Sequence, residues 1–344
     1  MDVAPITNGD HAEVIASGME IRALFSGETK WDDLEWDRDL LIDWYNNVYA
    51  PNQNLEPFPT EEGQMAFDEA QVAIKAEVRS ILDRRSEMLG NGYPFERDED
   101  SGTPLRRRDL NNCTPQMVSY LWLSFFEAIN SEWASIDVNE RFLIAFRATF
   151  EKIFEAVVCF AMLGKADGPI WYLGNVRGIH KLLKSFRHIS RRMGSGLVKT
   201  HAQLNLVQRA ANDSGIDVVL IERQQDATMF LVGATIQKKN RRSKVIGIDE
   251  RNRFRGFFVQ QIRATTQGIM AVPFPYSEFD AELCLEKDCQ YLHLDLIRQK
   301  LGLSVGRALG EVRHASLALR SYSRTFTAAA GLSQPLQAAG CQVI

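Results

Sequence analysis

The amino-acid sequence predicts an α/β protein in which helices come first and a sheet follows. Two observations carry this. Apolar residues recur at spacings of three and four through most of the N-terminal half, and after residue 215 the chain turns to short runs rich in Val, Ile and Phe. A helical period then returns toward the C-terminus.

The elements follow in order. WDRDLLIDWYNNVY (36–49) and EEGQMAFDEAQVAIKAEVRSILDRRSEM (61–88) read as helices, the second with acidic residues early and arginines late, as a helix dipole favours. Trp31, Trp36 and Trp44 read as anchors of a small helical core or of a partner interface, because their neighbours Asp32, Asp33, Glu35, Asp37 and Asp39 would repel phosphate. Residues 91–112 combine Gly, Pro and a charge switch without a period and read as a loop or linker, with Arg106, Arg107 and Arg108 on a solvated or ion-paired face. PQMVSYLWLSFFEAIN (115–130) and VNERFLIAFRATFEKIFEAVVCFAMLG (138–164) are helical again. In the latter Phe146, Phe150, Ile153, Val157 and Phe160 repeat on one face and Gly164 closes the helix.

GIHKLLKSFRHISRRM (178–193) reads as a basic helix, and GLVKTHAQLNLVQRAA (196–211) as strand or helix. IDVVLIE (216–222) and MFLVGATIQ (229–237), separated by polar RQQDAT, form a hairpin signature. The basic loop KKNRRSK (238–244) leads into VIGI, a helix is expected around RFRGFFVQQIRATTQ (253–267), and GIMAVPF (268–274) reads as a strand. Helices are expected near 277–287 and 305–326, with a mixed segment at 291–301 between them. These shifts divide the chain into a helical region and linker (1–112), a sheet-bearing domain (113–300) and a C-terminal helix and tail (301–344).

Composition bounds the function. In 344 residues, 45% are hydrophobic and 24% charged, enough for a real core. The formal charge of -4 argues against wholesale coating of nucleic acid, so any phosphate-binding surface must be local. Five cysteines without CxxC pairs suggest neither a disulfide framework nor a zinc ribbon. The start has no basic region followed by an apolar stretch, and no segment approaches a membrane span, so a soluble cytoplasmic protein is expected. GxxxxGK[ST], HExxH and GxSxG are absent, and His180, His188 and His201 are too scattered for a metal pattern, so each reads as structural.

The hairpin carries the chemistry. A turn centred near Ala227 places Asp217 and Gln237 opposite one another, and period-two alternation sets Thr235, Gln237 and Lys239 on one face. An acid, an amide and an ammonium would then share one patch. Phosphodiester hydrolysis needs such a patch: a hard divalent cation held by carboxylate and carbonyl oxygens, and a cation beside the attacking water. Taken singly, Asp217 is a turn residue, Gln-Lys-Lys a solvated strand end and Glu155 a surface acid; the joint order points to chemistry.

The run NDSGIDVV (212–219), the hairpin and Gln237-Lys238-Lys239 resemble the GDxGIDxx and QxK elements of the Mrr-type branch of the restriction-endonuclease-like PD-(D/E)xK nucleases. The resemblance covers about 125 residues, and its motifs are short. It implies a mixed central sheet flanked by helices, with the helical N-terminal region and C-terminal extension added. It also implies Mg²⁺ or Mn²⁺ held by Asp217, Gln237 and a helical glutamate from FEKIFEAVVCFAMLG, assigned to Glu155 with Glu151 as rival, and Lys239 acting on the water. Gln stands where an acid is commoner, as this branch itself shows. The spacing from Asp217 to Gln237 is longer than usual, and an insertion carrying Lys181 to Arg192 precedes the hairpin.

Lys238, Arg241, Arg242 and Lys244 follow the active strand as a phosphate track, joined by Arg251, Arg253, Arg255 and Arg263; the alternative for each is a solvated face. The resemblance implies an endonuclease on DNA, with RNA left open, serving restriction or antiviral defence. Its expected partner is an ATPase, a helicase or a second copy of itself, and no membrane is involved. A second reading stays open, a degenerate nuclease fold that scaffolds a complex or holds nucleic acid.

Overall fold

The computed structural model describes residues 10–31, 61–98, 103–109, 114–130, 136–137, 140–163, 168–173, 178–194, 196–206, 215–222, 227–237, 240–260, 262–304 and 342–343. Four helices come first: α1 (Asp10–Ser26), α2 (Glu61–Leu89), α3 (Pro115–Asn130) and α4 (Glu140–Leu163). The last three match the helices expected from apolar spacing within a residue or two at each end. Phe150, Ile153, Val157 and Phe160 of α4 are all buried, which is the stripe that predicted it. The helices expected over 36–49 and 305–326, with Trp36, Trp44 and Gly164, lie outside the described residues. Trp31 is half-buried against the helical core, with the Arg79 guanidinium 5.3 Å from its ring centre.

The loop expected over 91–112 is corrected. Strands β2 (Phe95–Asp98) and β3 (Thr103–Arg107) form an antiparallel hairpin there, and β1 (Glu28–Thr29) pairs with the outer side of β3. Phe95 and Leu105 point into the core while Glu96 pairs across with Arg106, an alternation too short to register as a period. The arginine run is the ion-paired face: Arg106 lies 3.9 Å from Glu28, Arg108 4.0 Å from Glu96, and Arg107 donates to the Leu24 carbonyl.

One ionic network is sealed inside this helical layer. Glu20 of α1 accepts from Arg85 at 2.9 Å and from the hydroxyls of Tyr93 and Tyr120 at 2.8 and 2.6 Å. Arg298, from the C-terminal helix, pairs with Glu127 of α3. Arg298 also reaches Ser17 Oγ of α1 at 3.5 Å, so this layer ties α1 and α3 to the helix that bears Arg298.

The short strand β4 (Ile136–Asp137) pairs with β12 (Gln342–Val343). The main sheet has five strands: β5 (Ile170–Tyr172), β7 (Val218–Glu222), β8 (Thr228–Ala234), β10 (Thr265–Ala271) and β11 (Cys289–Leu292). Across the sheet the order is β11-β10-β8-β7-β5, with β5, β7 and β8 antiparallel and β8, β10 and β11 parallel. The sheet is therefore mixed. Alternation along the hairpin serves two cores. Val218, Leu220, Phe230 and Val232 pack with α4, while Val219, Ile221, Met229 and Leu231 pack with α5 (Ile179–Met193) and with Phe254, Phe257 and Phe258.

The connection from β8 to β10 also differs from expectation. Helix comes early, as α6 (Arg241–Lys244) and α7 (Ile248–Arg255), and Gly256 ends it. The chain then runs extended in β9 (Phe258–Gln260), which pairs with β6 (Leu197–Val198). Thr265, Thr266 and Ile269 enter β10, where β-branched side chains suit the pleat. A helix α8 (Glu278–Glu286) precedes β11, and α9 (Leu294–Ser304) lies against α4, α3 and α2. Among the described residues no helix is long and apolar enough to cross a membrane.

Candidate functional site

Asp217 sits at the entrance to β7, two residues after Gly215, whose φ of +71° makes the turn that a side chain would strain. Its backbone is held on both sides: its N–H donates to the Val232 carbonyl at 2.8 Å and its carbonyl accepts from Leu173 at 2.7 Å. The carboxylate is 5% exposed, and Oδ2 accepts from the Ala234 N–H at 2.7 Å and from the Lys244 ammonium at 2.9 Å. Backbone and side chain of this acid are thus held by bonds to β8, to Leu173 and to Lys244.

Asp217 does not lie opposite Gln237. The register pairs Glu222 with Thr228 and Val218 with Val232, which sets Asp217 beside Gly233. The physical reason is that the hairpin is centred near 225, two residues before the expected Ala227; beyond the end of β8 at Ala234, Gln237 N–H donates to Thr235 Oγ1 at 3.1 Å and Asn240 N–H donates to the Gln237 carbonyl at 3.1 Å. The chain turns there instead of extending the strand, so the alternation expected to carry Thr235, Gln237 and Lys239 on one face does not hold. Lys238 and Lys239 lie outside the described residues.

Helix α4 supplies the remaining acids. Glu155 is buried, and its carboxyl hydrogen-bonds to Asp217. Burial first, then the like charge of Asp217 and of Glu151, push its pKa up to about 9 against the opposing pull of Lys244. At neutral pH the two carboxyls therefore share a proton. The Tyr172 hydroxyl donates to the Lys152 carbonyl at 3.1 Å and leaves its oxygen 3.5 Å from Glu155 Oε2. One turn before Glu155, Glu151 accepts from the Gln237 amide nitrogen, while Gln237 Oε1 accepts from Asn240 at 3.0 Å. Both helical glutamates thus meet a hairpin residue, Glu155 with Asp217 and Glu151 with Gln237.

Among the described residues the ammonium on Asp217 is that of Lys244, expected on the phosphate track. Two glycines bring it there. A Cβ on Gly233 would lie 2.4 Å from the Lys244 carbonyl oxygen, and one on Gly268 would lie 1.6 Å from that of Ile246. With neighbouring strands bare at these points, segment 244–246 lies directly on the sheet. A pair of strand glycines is the sequence signal that could have located this crossing.

The other expected phosphate contacts divide. Arg241 is locked onto buried Asp280, with Phe274 beneath it 5.9 Å from its guanidinium. Arg251 is buried and donates to the Thr266 carbonyl at 3.0 Å and to Asp288 at 2.6 Å. Both are structural, because each answers a specific acceptor inside the fold. Arg242 is exposed, with its guanidinium 5.7 Å from the centre of the Phe279 ring. His180 and His201, expected to be separate and structural, stack with ring centres 4.7 Å apart at the surface end of α5.

Among the described residues no group of three His, Cys, Asp or Glu side chains forms a metal cluster. Two carboxyls, Asp217 and Glu155, do converge, and the ligand atoms they offer are hard oxygens, one of which already accepts from Ala234 and Lys244. That set suits Mg²⁺, which takes one or two carboxylates and completes its shell with water and substrate phosphate. The shared proton marks where a cation would relieve two crowded like charges. Compared with known proteins, the chain matches no family model, no curated protein and no solved structure.

Proposed function

We propose that the chain is a divalent-metal-dependent phosphodiesterase acting on DNA, built on a restriction-endonuclease-like PD-(D/E)xK core. The order of elements supports this reading: a helix bearing Glu155, an antiparallel hairpin bearing Asp217, a helical crossover and a parallel strand in one mixed sheet. The observation that carries it is the buried Asp217–Glu155 carboxyl pair with an ammonium on one of its oxygens.

Asp217 and Glu155 would hold the ion, with the Gln237 amide oxygen available on a turn of its Asn240 contact. When bound, Mg²⁺ or Mn²⁺ supplies Lewis-acid polarisation of the phosphate and a more acidic water. Lys244 lies 2.9 Å from Asp217 Oδ2 and would place a positive charge where a pentacovalent phosphate builds negative charge. Ala234 N–H fixes the rotamer of Asp217, so the ligand does not reorganise when substrate arrives.

One observation favours the second reading, a nuclease fold retained as a scaffold: the Gln237 amide is engaged at both ends, by Glu151 and by Asn240. Supercoiled plasmid separates the two readings. With Mg²⁺ or Mn²⁺ the wild-type protein should nick it, and Asp217→Asn and Glu155→Gln should slow nicking by about 100-fold or more with unchanged circular dichroism. Intact plasmid under every metal, with and without candidate partner proteins, would give the scaffold reading the field.

A further inference from the structure

Charge in this chain is segregated. From Gly168 to Asn212 the sequence carries no Asp or Glu, in a protein whose formal charge is -4. The described centre of that stretch is α5, and its two faces are of opposite character. Ile179, Leu182, Leu183, Phe186 and Ile189 are buried against the sheet, while Lys181, Lys184, Arg187, Arg191 and Arg192 are all exposed. Among the described residues none of these five cations pairs with a carboxylate, whereas Arg106, Arg107, Arg241 and Arg251 have partners in the fold.

A solvated basic face would be the default reading for one or two such residues, but here five share one helix, and only Arg191 and Arg192, in its last turn, are favoured by the dipole. Like charges three and four apart, as at Lys184 and Arg187 or Arg187 and Arg191, each cost about 0.2–0.5 kcal/mol. Lys181 in the first turn also meets the positive end of the helix dipole. An external polyanion would relieve these terms, and five exposed cations without a carboxylate partner among the described residues are what it would meet.

We infer that the exposed face of α5 is a docking surface for the phosphate backbone of duplex DNA. From Lys181 to Arg192 the row runs about 16 Å along the helix axis at 1.5 Å per residue. Duplex DNA presents about one phosphate charge per 1.7 Å of its own axis, so several phosphates come within reach of such a row. An anionic membrane fits less well, because an interfacial helix must insert its apolar face and here that face is consumed by the core. The choice of DNA rests on the proposed function, and the positive face itself does not.

The test is fluorescence anisotropy of a labelled 25-base-pair duplex with full-length protein in EDTA, so that no turnover interferes. Binding by the wild-type chain should weaken steeply between 50 and 200 mM salt. In Lys184→Gln/Arg187→Gln/Arg191→Gln the log–log salt slope should fall by about 2 to 3, with affinity at least about tenfold lower at low salt. Circular dichroism and melting checks that the triple variant is folded, and the single variant Arg187→Gln, expected to lose about one unit of slope, repeats the measurement with the least perturbation. Affinity and slope unchanged in both variants overturn the inference, as does tighter binding to phosphatidylserine vesicles or to duplex RNA than to the DNA. Binding with the expected slope but no cleavage under any metal sinks the nuclease reading and leaves this surface standing; cleavage with binding indifferent to the variants does the reverse.

Discussion

Two buried glutamates with tyrosine neighbours, Glu20 of α1 and Glu155 of α4, live in opposite electrostatic worlds. Glu20 is met by a guanidinium and two phenolic donors, so each polar group around it lowers the cost of its charge. That charge in turn raises the pKa of Tyr93 and Tyr120 beyond what burial alone does. Glu155 is met by two other carboxyls, and its own pKa rises to about 9. A buried acid surrounded by donors is structural, because the fold has settled its charge; one surrounded by acids is unsettled, and the unsettled one invites a cation or a proton.

The comparison breaks first at activity. Asp217→Asn keeps an acceptor for Ala234 and removes the charge, so DNA nicking should fall by about 1,000-fold while the melting temperature moves little. Steady-state nicking rates against metal concentration check this, and a rate within tenfold of wild type would place the chemistry elsewhere. Lys244→Met should also cost about 100-fold, and Lys239→Ala measured beside it identifies which ammonium serves the site.

At Glu20 the readout is stability. Glu20→Ala leaves Arg85 short of a counter-charge and two buried hydroxyls unpaired, which should cost about 3–5 kcal/mol in urea melts. Glu155→Gln, the parallel change at the site, should cost less than about 1 kcal/mol at pH 7, where Glu155 is already neutral. Equal losses at the two positions would erase the distinction between them.

A third contrast concerns arginines. Arg241→Gln should lower stability by about 1.5–3 kcal/mol, since Asp280 is fully buried and loses its ion pair. DNA affinity should stay within about twofold of wild type, in contrast to the α5 variants.

The helices and the hairpin were legible because their periods are long and their apolar faces unbroken, as in Phe150 to Phe160 and in IDVVLIE. Asp217 and Glu155 were picked out for a different reason, a strand-entry Gly-x-Asp and an acid in the run FEKIFEAVVCFAMLG that the family resemblance singles out. What the sequence hid depends on where the chain turns. A hairpin centred near 225 instead of 227 separates Gln237 from Asp217, and no residue in RQQDAT announces that shift. The position of Lys244 depends on Gly233 and Gly268 lying on adjacent strands, a tertiary coincidence that one-dimensional spacing does not show. The β2–β3 hairpin was missed because its alternation is four or five residues long and half its side chains are arginines and acids.

The smallest effect is the most diagnostic, because it is read without any substrate. An unfolded chain releases the Glu155 proton near pH 4.5, whereas the folded chain holds it up to about 9. Between these values the folded state binds more protons, so stability falls as pH rises through the window, by about 1 kcal/mol per pH unit. This slope runs opposite to that of an ordinary salt-bridged carboxylate, whose stability is lost as pH falls. Glu155→Gln should flatten it, and Mg²⁺ should do so too, raising the melting temperature more at pH 8 than at pH 6, because a cation between Asp217 and Glu155 displaces the proton they share. Melting curves from pH 6 to 8.5, with and without 10 mM Mg²⁺, give both comparisons; a slope that survives Glu155→Gln would mean that the titrating group lies elsewhere in the fold.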